Sequence, residues 1–174
     1  MSVDVPEVVD AWRMVAARRE FVGRLPLSAL PRLREVLADD EGEVAYTVSF
    51  GRDELQVPYV ELGIQAQLPL QCQRTLQRFV FPVSLVQRLG LLRAEDDEGE
   101  AAEAALPPGY EALVVADDGA IRPVDLVEDE LILAVPVVPV SPGSESVERD
   151  WPVAADEEAQ INPFAALSAL KKKE

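Results

Sequence analysis

Three consecutive acids, Glu128, Asp129 and Glu130, run directly into an apolar decade that Pro136 and Pro139 interrupt, "VEDELILAVPVVPV". Carboxylates against an apolar wall can serve as general acid and base. They can also open a helix, or face a partner. Asp125 and Glu128 stand at capping-box spacing, D-x-x-E, which predicts Asp125 as N-cap with Glu128 closing the box. Asp129 and Glu130 then occupy the first turn, where negative charge suits the helix dipole. Pro136 ends such a helix, and "VPVVPV" favours an extended path beyond it. No nucleophile or metal-ligand set accompanies the acids, so nothing beside them completes a hydrolytic site. Their outward sides stay open to a partner.

A second constellation is "QCQRTLQRF". Cys72 is in phase with Leu68 and Leu70, which turns it towards the core as a small buried hydrophobe. It is the only cysteine, and histidine is absent, so a zinc set and every histidine-based triad are missing from this chain. Around it, Gln73, Arg74, Thr75, Gln77 and Arg78 cluster at a predicted hairpin tip. Arginines there are commonly just solvated, yet Arg74 and Arg78 are the best phosphate-contact candidates in the folded part. Near the end, Asn162 can N-cap a short helix with Pro163 in its first position and Phe164 on its apolar side. Lys171, Lys172 and Lys173 follow, balancing a helix C-terminus or touching nucleic acid weakly.

The elements that must position these residues are readable from periodicity. In "EVAYTVSF", Val44, Tyr46, Val48 and Phe50 alternate with polar or small residues. Period two resumes from Val60 to Cys72 and again from Phe79 to Leu85, an antiparallel meander with one buried face. Pro69 and Pro82 mark bulges or edge positions. Ahead of the meander, "PEVVDAWRMVAARRE" predicts a helix with Pro6 in its first turn and Val8, Val9, Trp12, Val15 and Ala16 on one face. "LPLSALPRLREVLADD" predicts another, capped by Ser28, with Leu30, Leu33 and Leu37 as its stripe. "YEALVVADDGAI" predicts a further strand and turn. The fold class is therefore α+β. Residues 1–140 are expected to form one domain with an acidic linker at 93–109, and 141–174 an extended acidic tail ending in the short helix at Asn162.

The net charge of −16 is unevenly placed, −2 in residues 1–90 and −14 in 91–174. Such a field repels nucleic acid overall and suits a basic partner, for example a ribosomal protein, while also serving solubility. No apolar run approaches the ~20 residues of a membrane span, and "MSVDVPEVVDAWRM" does not read as a signal peptide. A cytoplasmic location is expected.

Three segments in order, "CQRTLQRF", "DLVEDELILAVPVVPV" and "NPFAALSALKKK", resemble the landmarks of the YceD family, the large ribosomal RNA subunit accumulation proteins. The resemblance extends from "DAWRMVAARREFVGRLPL" to the last segment. It implies a non-catalytic, cytoplasmic factor that supports synthesis, processing or stability of 23S ribosomal RNA, without cofactor or small-molecule substrate. Its motif positions here are Glu128, Asp129, Glu130, Pro136, Pro139, Asn162, Pro163 and Phe164. Family members commonly carry C-x-x-C at the hairpin; this chain keeps Cys72 but has Thr75 in the second place, which puts any metal or redox role of that pair in doubt. The implied partner is 23S ribosomal RNA or its precursor. Two other readings stay open: an acidic adaptor for a basic ribosomal protein, and a hydrolase using the 128–130 carboxylates.

Overall fold

The computed structural model describes residues 5–94 and 105–144. Contacts divide the chain after Ser141, and the architecture below is that of the unit ending there. Its centre is a five-stranded sheet in the order β2 (Glu20–Pro26), β3 (Glu43–Arg52), β4 (Pro58–Gln71), β5 (Arg78–Arg93), β6 (Tyr110–Val115). The first three pairings are antiparallel and β5–β6 is parallel. This is the expected α+β meander.

Alternation sets which face is buried. Phe21, Val44, Tyr46, Val48, Phe50, Val60, Leu62, Ile64 and Leu68 all point to the side covered by helices and are buried. The opposite face carries a polar row that crosses the sheet along the register: Glu20, Ser49, Glu61, Arg88, Tyr110. Within it Ser49 donates to Glu20, Arg88 binds Glu61, and Tyr110 donates to Asp53 at 3.0 Å. Arg88 also lies over the Tyr59 ring, 4.6 Å from its centroid. The register stays continuous through Pro69 and Pro82, so neither is a bulge. Pro69 lies beyond the reach of β3 and Pro82 before the start of β6, both edge positions where a missing donor is harmless.

The N-terminal elements depart from expectation. The first helix, α1 (Ala11–Ala16), starts at the Asp10 N-cap, which accepts from the Arg13 amide. It does not begin at Pro6, because Val9 and Asp10 form a short strand, β1, paired with β7 (Ala120–Ile121). Val8 and Ala16 are therefore exposed, while Val9 and Val15 are buried. Arg18, with a left-handed φ of 47°, stops the helix, and the next residues enter β2. That strand hides in the sequence because Phe21 alone is buried in it and Gly23 and Pro26 interrupt it. Tertiary pairing overrides its weak local signal.

The second predicted helix is shorter than expected. Leu27–Ala29 make a 3-10 turn, so Ser28 caps nothing, and α2 is only Pro31–Arg34 with Leu30 in the cap position. The leucine stripe does face the core: Leu30 and Leu33 are buried and Leu37 packs against them. The third helix, α3 (Pro123–Ala134), starts ahead of its expected N-cap at Asp125 and ends, as expected, where Val135 turns extended before Pro136.

The linker expected at 93–109 falls partly, and the tail with its helix at Asn162 almost wholly, outside the described residues. Among the described residues no helix is long and apolar enough to cross a membrane.

Candidate functional site

Both central motifs are positioned by α3 and by the tip between β4 and β5. The capping box is absent. The N-cap of α3 is Arg122, without a side-chain cap, and Asp125 sits in the first turn with its carboxylate 3.4 Å from the Arg122 guanidinium. Pro123 takes the first helical position, where its missing N–H costs nothing.

Glu128 instead reaches across to α2. It is 3% exposed. Its Oε1 accepts from the Arg32 amide at 2.7 Å and the Leu33 amide at 3.1 Å, and its Oε2 from Arg32 Nε at 2.9 Å. The local reason is legible at α2. Leu30 offers no side-chain acceptor and Pro31 no donor, so the next two amides need an acceptor from elsewhere. A carboxylate at a helix N-terminus also meets the dipole favourably. Asp129 pairs with the other side of the same guanidinium. The hydrogen bonds to Glu128 and then Asp129 hold the Arg32 pKa above its ordinary value. Arg32 was missed by the sequence reading. The signal that could have found it is the uncapped "LPRL" helix start, which demands a remote acceptor without naming it.

Glu130 points elsewhere. It is 9% exposed and, among the described residues, its side chain makes no hydrogen bond or ion pair. Burial raises its pKa, with Glu111 and Asp129 adding repulsion. The three acids thus have three different settings.

At the tip, Leu76 takes a left-handed φ of 59° and its amide closes the turn on the Cys72 carbonyl. The chain after α3 returns to this tip: the Gln73 amide donates to the Pro139 carbonyl at 2.8 Å, and the Ser141 amide to Cys72 Sγ at 3.4 Å. Two of the three sequence motifs therefore meet. Cys72 is inward and inaccessible, as its phase predicts. It is more than a packing group, because hydrogen bonds from Ser141, and next from Thr75, push its pKa down to about 5.

Arg74 is exposed at the tip. Arg78 is engaged by Asp39, with Glu41 at 3.8 Å. Arg78 in turn holds the Asp39 carboxyl below its usual range, helped by the Glu41 amide. Asn162, Pro163, Phe164, Lys171, Lys172 and Lys173 lie outside the described residues. An open depression of about 660 Å³ touches Val22, Thr47, Gly63 and Val86, but Arg24 is the one charged side chain in its lining. It holds no acid–base pair.

The family model for the large ribosomal RNA subunit accumulation protein YceD matches residues 60–171. A Haemophilus influenzae protein of that same description is 28% identical over 177 residues, covering 99% of each chain. No solved structure matches. The matched stretch contains the hairpin tip, α3, the chain that returns from α3 to the tip, and the segment at Asn162: this chain belongs to the YceD family.

Proposed function

We propose that this protein is a non-catalytic cytoplasmic factor that supports the accumulation of large-subunit ribosomal RNA, acting on synthesis, processing or stability of 23S ribosomal RNA. The observation that carries the reading is the family match across all three motif segments. The hydrolase alternative is disfavoured by the settings of its acids. Glu128 is spent on two backbone amides and a guanidinium, and Asp129 on the same guanidinium, which leaves Glu130 without a second positioned group. Deleting the gene and restoring it on a plasmid tests the proposal. The expected result is a fall in 23S relative to 16S ribosomal RNA that the plasmid reverses. An unchanged ratio in the deletion refutes it.

A second reading, the acidic adaptor that holds a basic ribosomal protein, is favoured by one observation. Arg24, Arg32, Arg34, Arg78, Arg88 and Arg122 each lie within an ion pair with a carboxylate. Such arginines have little charge left for phosphate, and the chain carries −16 overall. Direct RNA contact would then fall to arginines outside these six pairs, Arg13, Arg18, Arg19 and Arg52 among them, or to Asn162, Pro163, Phe164, Lys171, Lys172 and Lys173. A pull-down with and without ribonuclease separates the two. Partners lost on RNA digestion support direct contact, and a basic protein retained supports the adaptor.

A further inference from the structure

Among the described residues the sheet has two open edges, β2 on one side and β6 on the other. Of the two, β2 carries a pattern that matches a second copy of itself. The phase of its ladder decides which of its backbone groups are free. The Phe50 amide donates to the Arg19 carbonyl, and the Leu27 amide to the Gly42 carbonyl. Bonded pairs alternate along an antiparallel ladder, so between these two contacts Phe21, Gly23 and Leu25 direct their N–H and C=O groups to β3. Glu20, Val22 and Arg24 therefore turn theirs to the open edge. Their side chains share the sheet face away from the helices, opposite to buried Phe21, and Val22 is 55% exposed.

Edge strands are commonly guarded by charge. Here the guard is self-complementary, because Glu20 and Arg24 stand symmetrically about Val22. In an antiparallel pairing with Val22 opposite Val22, Glu20 faces Arg24 of the second copy, and Arg24 faces its Glu20. These pairings join the very residues whose backbone groups are free, so each exchanges both hydrogen bonds. Pro26 then falls opposite Arg18, whose left-handed φ of 47° has already taken it out of the strand, and the pairing stops there at both ends. Neighbouring registers do worse. Centring on Gly23 puts Pro26, which has no N–H, opposite Glu20. Centring on Phe21 sets Arg24 against Arg18 and Glu20 against Val22.

The surroundings agree. Arg24 already meets Glu43 of β3, so in the pairing it would lie between two carboxylates. Residues 1–90 carry −2 of the −16, so copies meeting at β2 approach through the less charged half of the chain. The β6 edge has no such match: Glu111 is the one charged residue in that strand, and no self-pairing of it supplies a cation.

We propose that β2 is a dimerisation edge, where two copies of this chain join about a two-fold axis at Val22 and the five-stranded sheet of one continues into that of the other.

Sedimentation equilibrium of the full chain tests this at concentrations up to ~100 μM, since a contact of one strand belongs to the small class of interfaces. The expected mass at the upper end is twice 19.0 kDa. Glu20→Arg and Arg24→Glu, each alone, set like charges opposite each other on both sides of the axis and should weaken association by about tenfold or more. The two together reverse both pairs and should bring affinity back to within about fivefold of wild type. Thermal melting at dilute concentration checks the fold of each variant. Should a single variant fail to fold, Val22→Pro takes its place: it removes the donor at the axis and breaks no bond to β3. Val22→Cys gives an independent readout. Its thiols meet across the axis, so mild oxidation should cross-link the dimer, whereas Val114→Cys, similarly exposed on β6, should stay uncross-linked. A wild-type mass of 19.0 kDa at the highest concentration overturns the dimer. A dimer that both single variants leave intact, or one that cross-links through Val114→Cys and not Val22→Cys, overturns β2 as its edge. A folded double variant that stays monomeric overturns the charge-matched register on which the assignment rests.

Discussion

Removing the Glu128 carboxylate tests how the motif acids are used. Glu128→Ala strands the amides of Arg32 and Leu33 at the start of α2, and it leaves the Arg32 guanidinium with Asp129 alone. Losing a helix cap costs ~1 kcal/mol, and losing a charge-assisted hydrogen bond in a buried position adds a further 1.5–3 kcal/mol or so. The expected loss is about 3 kcal/mol, which for a chain of this size lowers Tm by roughly 6–12 °C. Glu128→Gln keeps one acceptor oxygen for the two amides but turns a neutral amide towards the guanidinium, so about 1–2 kcal/mol should go. Asp125→Ala is the contrast. As N-cap of α3 it would cost ~1 kcal/mol. As an exposed partner of Arg122 it should cost only a few tenths, since such surface pairs contribute little. Urea unfolding followed by far-ultraviolet circular dichroism measures all three. If Glu128→Ala and Asp125→Ala prove equally costly, or Glu128→Ala costs under about 0.5 kcal/mol, the remote cap is not what joins α2 to α3.

Three further outcomes follow from the same geometry. Glu130, whose carboxyl is raised by burial and then by Glu111 and Asp129, binds a proton more tightly folded than unfolded; stability should therefore fall, relative to Glu130→Gln, as pH rises from about 4.3 through the raised native value, and a Glu130→Gln curve parallel to wild type in urea titrations from pH 4 to 8 would contradict it. Cys72 is largely thiolate at neutral pH yet inaccessible, so labelling by a maleimide should be slow in native protein and fast in urea, and fast native labelling would show that the chain after α3 does not close over it. At Gly23 a Cβ would stand 2.6 Å from the Tyr46 ring, which packs over it from the next strand, so Gly23→Ala should cost about 1–3 kcal/mol by thermal melting, while no loss would place that ring elsewhere.

How much of this was legible in the sequence divides along a physical line. Strands β3, β4 and the first half of β5, to Leu85, show because every second residue is apolar, whereas Gln87 breaks the alternation and hides the rest of β5. Cys72 was placed by the same phase. The end of α3 shows because Pro136 stops an apolar run, whereas its start does not, since D-x-x-E puts the N-cap at Asp125 and the helix begins at Pro123. Strand β2 and the shortened helices did not show, since their signal comes from neighbours brought in from far along the chain. The capping box failed for the same reason. D-x-x-E at Asp125 and Glu128 satisfies the local rule, but the N-cap of α3 is Arg122, three residues earlier, and Glu128 sits inside the helix facing α2. A four-residue helix with no cap of its own then competes for Glu128 and wins, because its two amides have no other acceptor near them. Once Glu128 and Asp129 are committed to Arg32, 96 and 97 residues away in sequence, the acid run ceases to be one feature. It becomes a lock between helices, built by two residues, and one carboxylate left over. A solvated acid run would have left all three exposed, and a catalytic pair would have turned two of them towards a common cavity. Glu130 does neither: its side chain is mostly covered, its carboxylate pairs with nothing among the described residues, and burial, then Glu111 and Asp129, raise its pKa, so of the three acids it is the one that gives up its charge most readily.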